Sequence, residues 1–328
     1  MNDVPGSCNE LSTDMREVLL RAERELGTQP DPTLLTPAEG RAQSERANAR
    51  NNVDLPPLAV MTEVLVAADT KLGSSACRLR VLVPHGAGAG AVIFVHGGGF
   101  AFCSPETHER CARVLASEIR LPVLIPDYRL APEHPFPAGL HDVVACLRAA
   151  FTATAQAGVS AGPLIISGDS AGANLALAAI MHEQKAGQSL PSGALLFYGT
   201  FDAGFNTDSY RRFADGPGLT RGKMQRYWDW YCADHHARRN PLAAPLQADD
   251  DALRSLPPLY LMAAGIDPLL SDTLLFAERL KAVGRDDPLS VVPGVTHGFL
   301  QNTNELAAAR EALASAGETA RGMIGGIR

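Results

Sequence analysis

Short, continuous apolar runs recur along the chain, and each is bounded by Gly, Pro or polar residues. Runs of this length are typical of strands that are buried on both faces of a sheet. In the first two predicted strands, apolar residues alternate with polar ones. A Gly-containing turn joins these two strands, as in a pair of adjacent strands. The eight predicted strands span residues 62–67, 78–83, 91–95, 123–125, 164–167, 193–198, 259–264 and 289–292.

Helical patterns separate most of the later strands. Apolar residues recur there every three to four positions, which is the spacing of one face of an α-helix. Strands that alternate with helices favour a mostly parallel, doubly wound sheet with helices on both faces. We therefore predict an α/β fold with helices between the strands at residues 109–118, 141–151, 171–185 and 269–283.

Two segments do not fit this alternation. Residues 11–27 carry an amphipathic helical stripe, and residues 37–51 form a second helical segment without a strong apolar face. About sixty residues, including both tryptophans, separate the sixth strand from the seventh, and a crossover needs far fewer. We predict a helical cap made of residues 1–55 and 201–240, over a core domain made of residues 56–200 and 241–328.

The composition narrows the range of partners and cofactors. A formal charge of −7 argues against binding to nucleic acid or to an anionic membrane. The longest apolar helical stretch is too short to span a bilayer, and the first ten residues do not resemble a signal peptide. We expect a cytoplasmic protein without stable membrane association. The six cysteines are expected to be reduced thiols, and because no metal-ligand spacing accompanies them, we expect no metal and no other cofactor.

The run GDSAG at residues 168–172 stands between a predicted strand and a predicted helix. This setting is typical of a nucleophile elbow, a sharp turn with small neighbours that lifts a serine hydroxyl above the sheet edge. The helix that follows directs its positive N-terminal end at the same point. The alternative is a plain strand-to-helix turn with a serine near the helix N-cap. The motif and its context predict Ser170 as a nucleophile.

A second glycine-rich run, HGGGF at residues 96–100, follows the third predicted strand. Acyl transfer places a developing negative charge on the substrate oxygen, and preorganised N–H groups stabilise that charge. Glycines allow the backbone to approach the oxygen closely. The alternative, a flexible glycine turn, does not explain the position of the run one strand-to-helix unit ahead of the elbow. We predict an oxyanion hole formed by the amides of Gly98, Gly99 and Ala171.

A nucleophilic serine needs a base, and the base needs an acid that orients it. In folds of this kind the chain order is Ser, then Asp or Glu, then His. His297 follows the last predicted strand, at the sheet edge where ligands bind, whereas His182 lies on a helix that leads away. Asp267 is the first carboxylate after the seventh strand, and Asp272 is the second candidate. Asp267 could also simply cap the next helix, with Pro268 at the first helical position, and the two roles are compatible.

These runs together resemble those of the bacterial hormone-sensitive-lipase-like family of α/β-hydrolase esterases, over about residues 60–300. The resemblance also rests on the runs DYRLAPEHPFPA at 127–138, DPL at 267–269 and HGF at 297–299. The GDSAG form is typical of one subgroup of that family. The resemblance implies the α/β-hydrolase fold with a helical cap, and homodimers are frequent among such relatives. It also implies a catalytic triad of Ser170, Asp267 and His297.

Further residues are expected to support the triad. The resemblance implies that Glu133 braces the elbow region, and we expect His96, Asp169 and Asp272 to lie around the triad. One position departs from the family pattern, because Cys103 stands where relatives commonly have a Gly-containing turn. Cys103 is expected either to be buried and inert or to line the pocket.

These observations predict a carboxylic ester hydrolase that forms an acyl-enzyme on Ser170. The expected partner is a small ester, and the resemblance together with the aromatic cap favours acyl groups from acetyl to hexanoyl. An amidase, a lactonase or a deacetylase would use the same triad, so the sequence leaves these alternatives open. A non-catalytic receptor of the same fold is expected to lack the histidine base, which is present here as His297.

Overall fold

The computed structural model describes residues 10–325 of the chain. One sheet is formed by β1 (Val60–Val66), β2 (Cys77–Val83), β3 (Ala91–Val95), β4 (Val123–Pro126), β5 (Leu164–Asp169), β6 (Gly193–Phe197), β7 (Leu259–Ile266) and β8 (Leu289–Thr296). The strand order is β1-β2-β4-β3-β5-β6-β7-β8. The β1–β2 and β2–β4 pairs are antiparallel, and all other pairs of this sheet are parallel. The predicted eight-stranded, mostly parallel sheet is confirmed.

Helices cover both faces of the sheet. They are α1 (Thr13–Leu26), α2 (Pro37–Ala49), α3 (Glu109–Ile119), α4 (Ala138–Gln156), α5 (Ala171–Lys185), α6 (Asp208–Arg212), α7 (Arg221–Tyr231), α8 (Asp250–Arg254), α9 (Leu270–Ala282) and α10 (Ala307–Gly325). One apolar core lies between the sheet and α4, α5 and α9, and a second lies between the sheet and α1, α3 and α10. The predicted doubly wound arrangement is therefore present.

The central strands are apolar throughout because both of their faces are covered. Every residue of β3 is buried. Ile93 and Val95 belong to one core, whereas Val92 and Phe94 belong to the other. This alternation follows from the period of two along a strand, which sends successive side chains to opposite faces. A continuous apolar run is therefore what such a strand requires.

The last strand is longer than the sequence predicts. We expected β8 to end at Val292 and a loop to follow, but β8 continues to Thr296. Its pairing with β7 shifts register, because Ala264 pairs with Val292 and Ile266 pairs with Thr296. Residues 293–295 therefore bulge opposite a single β7 residue, and such bulges re-aim the side chains that follow them. As a result His297 follows the strand directly.

Helix α10 has no counterpart among the predicted helices. Its buried face consists largely of alanines, with Leu313 as the one large apolar residue among them. Alanine favours helix strongly, but an alanine face gives a weak amphipathic pattern. The small side chains let α10 pack closely against α3, where Gly317 of α10 lies against the side chain of Glu118.

The N-terminal helices and the inserted helices contact each other. Arg226 of α7 forms an ion pair with Asp31, and its Nε donates to the hydroxyl of Thr33. Both acceptors lie in the turn that leads from α1 to α2. The two segments predicted to form the cap are thus joined to each other by charged and polar contacts.

The cysteines of the described part of the chain are free thiols: Cys77, Cys103, Cys111, Cys146 and Cys232. Cys8 lies outside the described residues. Among the helices of residues 10–325, none has the length and apolar character that a membrane span requires.

Candidate active site

Ser170 occupies the sharp turn between β5 and α5. Its backbone has φ 56° and ψ −121°, a region that residues with a side chain rarely adopt. The flanking glycines permit this turn, since a Cβ on Gly172 would collide with the carbonyl oxygen of Val95. The Ser170 amide also donates to the Phe197 carbonyl at 2.9 Å. Packing against β3 and β6 thus holds the serine in the conformation of a nucleophile elbow.

His297 and Asp267 complete a continuous hydrogen-bonded chain with this serine. Ser170 Oγ lies 2.8 Å from His297 Nε2, and His297 Nδ1 lies 2.7 Å from Asp267 Oδ2. Asp267 is fully buried, and its other oxygen accepts from the Leu269 amide at 2.8 Å. The carboxylate therefore orients the imidazole and also accepts from the turn into α9. It does not cap that helix, whose N-cap is Leu269 without a side-chain cap bond.

Asp272, the second candidate for the acid, has other partners. Its Oδ2 accepts from the amides of Phe201 at 3.0 Å and Asp202 at 3.3 Å. Burial, and then the neighbouring charge of Asp202, raises the pKa of Asp272 well above its usual value. The structure does not bring this carboxyl to His297. It supports the start of the inserted segment instead.

The glycine-rich loop after β3 lies against the elbow. Gly98 has φ 116°, and a Cβ there would collide with the carbonyl of Phe102. Within residues 10–325, the amides of Gly98, Gly99 and Ala171 donate to no protein acceptor. The amide of Gly97 donates to Asp169 Oδ1 at 2.8 Å and so ties the loop to the elbow.

Asp169 is buried and is held by groups that the sequence did not associate with it. Burial alone raises the pKa of this carboxyl, but the charge of His108 and the bonds from His108 and Gly97 bring the pKa below its usual value. His108 Nε2 lies 3.3 Å from Asp169 Oδ1. Sequence reasoning missed His108. Its position just before α3, beyond the carboxyl end of β3, is the only signal that would have indicated it.

His96 supports the loop as a neutral side chain. Burial, and then the neighbouring His108, lowers the pKa of His96 to about 3. Its ring stacks on Tyr128 at 4.4 Å, and its Nδ1 lies 2.8 Å from the Gly97 carbonyl oxygen, to which a neutral imidazole can donate. Tyr128 in turn donates to the His96 carbonyl at 2.8 Å. These contacts fix the start of the glycine-rich loop.

Glu133 does not brace the elbow, so that expectation is wrong. Its carboxylate is largely exposed and forms a two-point ion pair with Arg41 of α2. Arg41 also donates to the carbonyls of Ala101 and Ala131, at 2.9 and 3.0 Å. Because α2 covers this stretch of chain, Glu133 fastens the N-terminal segment to the core rather than supporting the nucleophile.

Cys103 lines the pocket as a half-buried thiol. It adopts φ 70°, the left-handed conformation for which a glycine is usual. Its Sγ lies 3.2 Å from Ser44 Oγ, and burial raises the pKa of the thiol to about 11. Of the two alternatives, the structure supports the second, because Cys103 is only half-buried and contributes to the wall of the pocket.

The cavity beside Ser170 has a volume of about 250 Å³. The cap contributes only one aromatic side chain, Tyr227, to its lining. The two tryptophans pack elsewhere, Trp228 against Phe100 and Trp230 against Phe102. The expected aromatic lining is therefore mostly core packing, and the pocket itself is small.

The fold and the hydrogen-bonded Ser–His–Asp array define the class of protein, which is that of the serine hydrolases with a nucleophile elbow. Among residues 10–325, no group of three or more His, Cys, Asp or Glu side chains is arranged as metal ligands would be. A family model described as the alpha/beta hydrolase fold matches residues 92–301. The chain belongs to this family, in its hormone-sensitive-lipase-like branch, and it is an enzyme of the serine hydrolase type.

The chain is similar to a carboxylesterase and to solved esterases. Carboxylesterase NlhH of Mycobacterium tuberculosis is 35% identical over 226 residues, which cover 67% of this chain and 70% of that protein. An ester hydrolase from the metagenome of Lake Arreo, solved with a bipyridine phosphonate derivative, is 31% identical, with a TM-score of 0.87 over 96% of this chain and 99% of that one. A thermostable esterase from Pseudomonas putida is 28% identical, with a TM-score of 0.88 over 98% and 99%.

Proposed function

We propose that this chain hydrolyses carboxylic esters through an acyl-enzyme formed on Ser170. The observation that carries the proposal is the continuous chain from Ser170 through His297 to Asp267, with contacts of 2.8 and 2.7 Å. The esterase names of its relatives support an ester as the substrate. The contact between His297 and Ser170 also argues against a non-catalytic receptor, which would not need a base on its serine.

In the proposed mechanism Ser170 Oγ attacks the ester carbonyl while His297 takes its proton. Asp267 keeps the imidazole in the required orientation and stabilises its charged form. The amides of Gly98, Gly99 and Ala171 receive the developing oxyanion, and each such donor contributes about 3 kcal/mol in the transition state. His297 then returns the proton to the leaving alcohol, and water activated by the same imidazole releases the acid.

The cap sets the size of the substrate in this proposal. We propose that residues 1–55 and 201–240 form it over the α/β-hydrolase domain, and the ion pair between Arg226 and Asp31 supports their acting together. The cavity of about 250 Å³ is smaller than the ~300–1,000 Å³ of sites for drug-sized ligands. Acyl groups from acetyl to hexanoyl suit such a space.

The variant Ser170→Ala tests the proposal. With p-nitrophenyl butyrate we expect kcat/KM to fall by at least ~10³-fold, because the nucleophile is absent. The matched control is Ser255→Ala, an exposed serine far from the site whose hydroxyl donates only to the Asp251 carbonyl. A fluorophosphonate probe should label the wild type and the control but not the S170A variant. Near wild-type turnover by S170A, or labelling of another residue, would show the assignment to be wrong.

A further inference from the structure

The pocket beside Ser170 has two chemically different walls. The apolar wall comes from the inserted segment and consists of Leu219, Met224 and Tyr227. Another part of the lining carries primary amide side chains from the end of α2 and from the 3₁₀ turn after β8, namely Asn48, Asn51, Gln301 and Asn302. We refer to these four residues as the amide wall. These four amides offer more hydrogen-bonding groups than an unsubstituted alkyl ester could use.

The amide wall has unused hydrogen-bonding capacity. Gln301 is only 8% exposed, and its Nε2 is buried without a hydrogen-bond partner among residues 10–325. Asn48 and Asn302 each donate to a nearby backbone carbonyl, at 2.9 and 3.4 Å, which leaves their side-chain oxygens as acceptors. A buried amide without a partner is costly. Turning the Gln301 amide toward the cavity would give it a partner there, so a ligand that can both donate and accept would be favoured over one that cannot.

The amide wall selects a neutral group. It contains no Lys or Arg that would pair with an anion, and no carboxylate that would pair with a cation. The one carboxylate that lines the pocket, Asp169, is already engaged by Gly97 and His108. A hydroxyl or an amide group matches these partners, since each donates and accepts without a formal charge.

The position of the amide wall indicates which half of the ester it meets. A base that returns its proton to the leaving alcohol must lie on the alcohol side of Ser170. Gln301 and Asn302 belong to the turn Phe299–Asn302 that directly follows His297. In the apolar wall, the ring of Tyr227 packs against Gly99 of the glycine-rich loop. We therefore assign the amides to the alcohol and the apolar side chains to the acyl group.

We propose that the pocket takes short esters with an apolar acyl group and an alcohol that carries a neutral hydroxyl or amide, and that Gln301 is the main specificity-determining residue. This inference rests on the proposed ester hydrolysis at Ser170. It adds the substrate class, which neither the triad nor the family determines.

Two matched esters test the inference in the wild type. The two esters are 2-hydroxyethyl butyrate and propyl butyrate, which share the same acyl group. The first has a hydroxyl where the second has a methyl group. For each ester, kcat/KM is divided by the rate constant of its hydrolysis by hydroxide. We expect this normalised value to be at least ~10-fold higher for the hydroxyethyl ester, because a site that hydrogen-bonds a polar group disfavours the analogue that lacks it. A ratio near or below one overturns the inference.

The variant Gln301→Met tests the assigned residue, because methionine keeps the length of the side chain and removes its amide. We expect the ratio between the two esters to fall to about one. The matched control is Gln184→Met on α5, where the glutamine donates to the Ala252 carbonyl away from the site, and the ratio should stay at its wild-type value. An unchanged ratio in Q301M overturns the role of Gln301, and the wild-type ratio stands as a test even if Q301M does not fold.

Failure of the proposed function would look different. In that case the wild type would hydrolyse neither ester, and a fluorophosphonate would not label Ser170. That result overturns both proposals. A wild type that reacts with the probe and hydrolyses propyl butyrate at least as fast as the hydroxyethyl ester overturns the inference alone.

Discussion

Four residues around the site hold backbone conformations that residues with a side chain seldom adopt: Phe100, Cys103, Ser170 and Tyr198. All four lie in turns that follow β3, β5 or β6 at the same edge of the sheet. Strain of this kind costs about 1–3 kcal/mol per residue and persists only where the surroundings enforce it. Here the buried strands and the glycine contacts of the elbow enforce it. The strained residues therefore mark the edge where the reactive groups converge.

The roles of the two candidate acids are distinguishable at this scale. Asp267→Asn should lower kcat about 10⁴-fold, as happens when the acid of a trypsin-type triad is replaced, because an amide leaves the imidazole in the wrong tautomer. Asp272→Asn should leave kcat within a few-fold of the wild type, since Asn has nearly the same shape and keeps a side-chain oxygen that can accept from the amides of Phe201 and Asp202. Steady-state kinetics with p-nitrophenyl butyrate measure both. A large loss in D272N with little loss in D267N would reverse the assignment.

At the level of the elements, a charged contact joins the two long helices behind the nucleophile. Glu183 of α5 is almost fully buried and accepts from Arg148 of α4 at 2.8 and 2.7 Å. His182 lies 3.0 Å from the same carboxylate. Burial alone raises the pKa of Glu183, but Arg148 and His182 bring the pKa below 4.5, its ordinary value. Because α5 begins directly after Ser170, this pair also holds the helix that follows the nucleophile.

The lowered pKa of Glu183 predicts how stability depends on pH. Because the folded-state pKa of Glu183 lies below the unfolded value of 4.5, its charge stabilises the folded protein. This stabilisation is fully present above pH 4.5 and is lost as the pH falls through the folded-state pKa. Glu183→Gln should therefore lower the free energy of unfolding by about 1.5 kcal/mol at pH 7, and the deficit should shrink in acid. Urea unfolding across the acid range measures this. A deficit that is unchanged at pH 3 would contradict the role given to the charge.

At the level of the whole molecule, the pocket exists only because separate parts of the chain meet. The amide wall comes from residues near position 50 and near position 300, and the apolar wall comes from the insertion between β6 and β7. Arg41 fastens the N-terminal segment to the core through Glu133, and Arg226 fastens it to the insertion. The N-terminal segment and the insertion thus both contribute to the wall of the cavity. The homodimer and the cytoplasmic location stay predictions.

The small volume of the cavity predicts a short optimum in acyl length. In a series of p-nitrophenyl esters we expect kcat/KM to be highest between acetyl and hexanoyl and to fall for longer chains, because about 250 Å³ leaves no room for them beside the leaving group. The series itself is the measurement, and release of nitrophenol is the readout. An optimum at dodecanoyl or longer would show that the cap opens far more than its contacts indicate.

Several features followed from the sequence because they depend on local physics. Buried parallel strands need continuous apolar runs, so each of the eight strands was located to within a few residues. The elbow and the glycine-rich loop need small residues at fixed positions, which made Ser170, Gly98 and Gly99 visible. The order of Ser, Asp and His along the chain then selected Asp267 and His297, and the structure brings both side chains to Ser170.

Other features depend on contacts between distant parts of the chain, and only the tertiary structure decided them. His108 contacts Asp169, which lies 61 positions later in the chain. Glu133 pairs with Arg41 instead of contacting the elbow. No local sequence pattern indicates either contact. The bulge that places His297 directly after β8 depends on pairing with β7. The sequence by itself thus determined the fold and the reactive groups, since these rest on local periodicity and turn chemistry. The packing of the cap determined the size and polarity of the pocket, since these rest on which side chains from remote segments face Ser170.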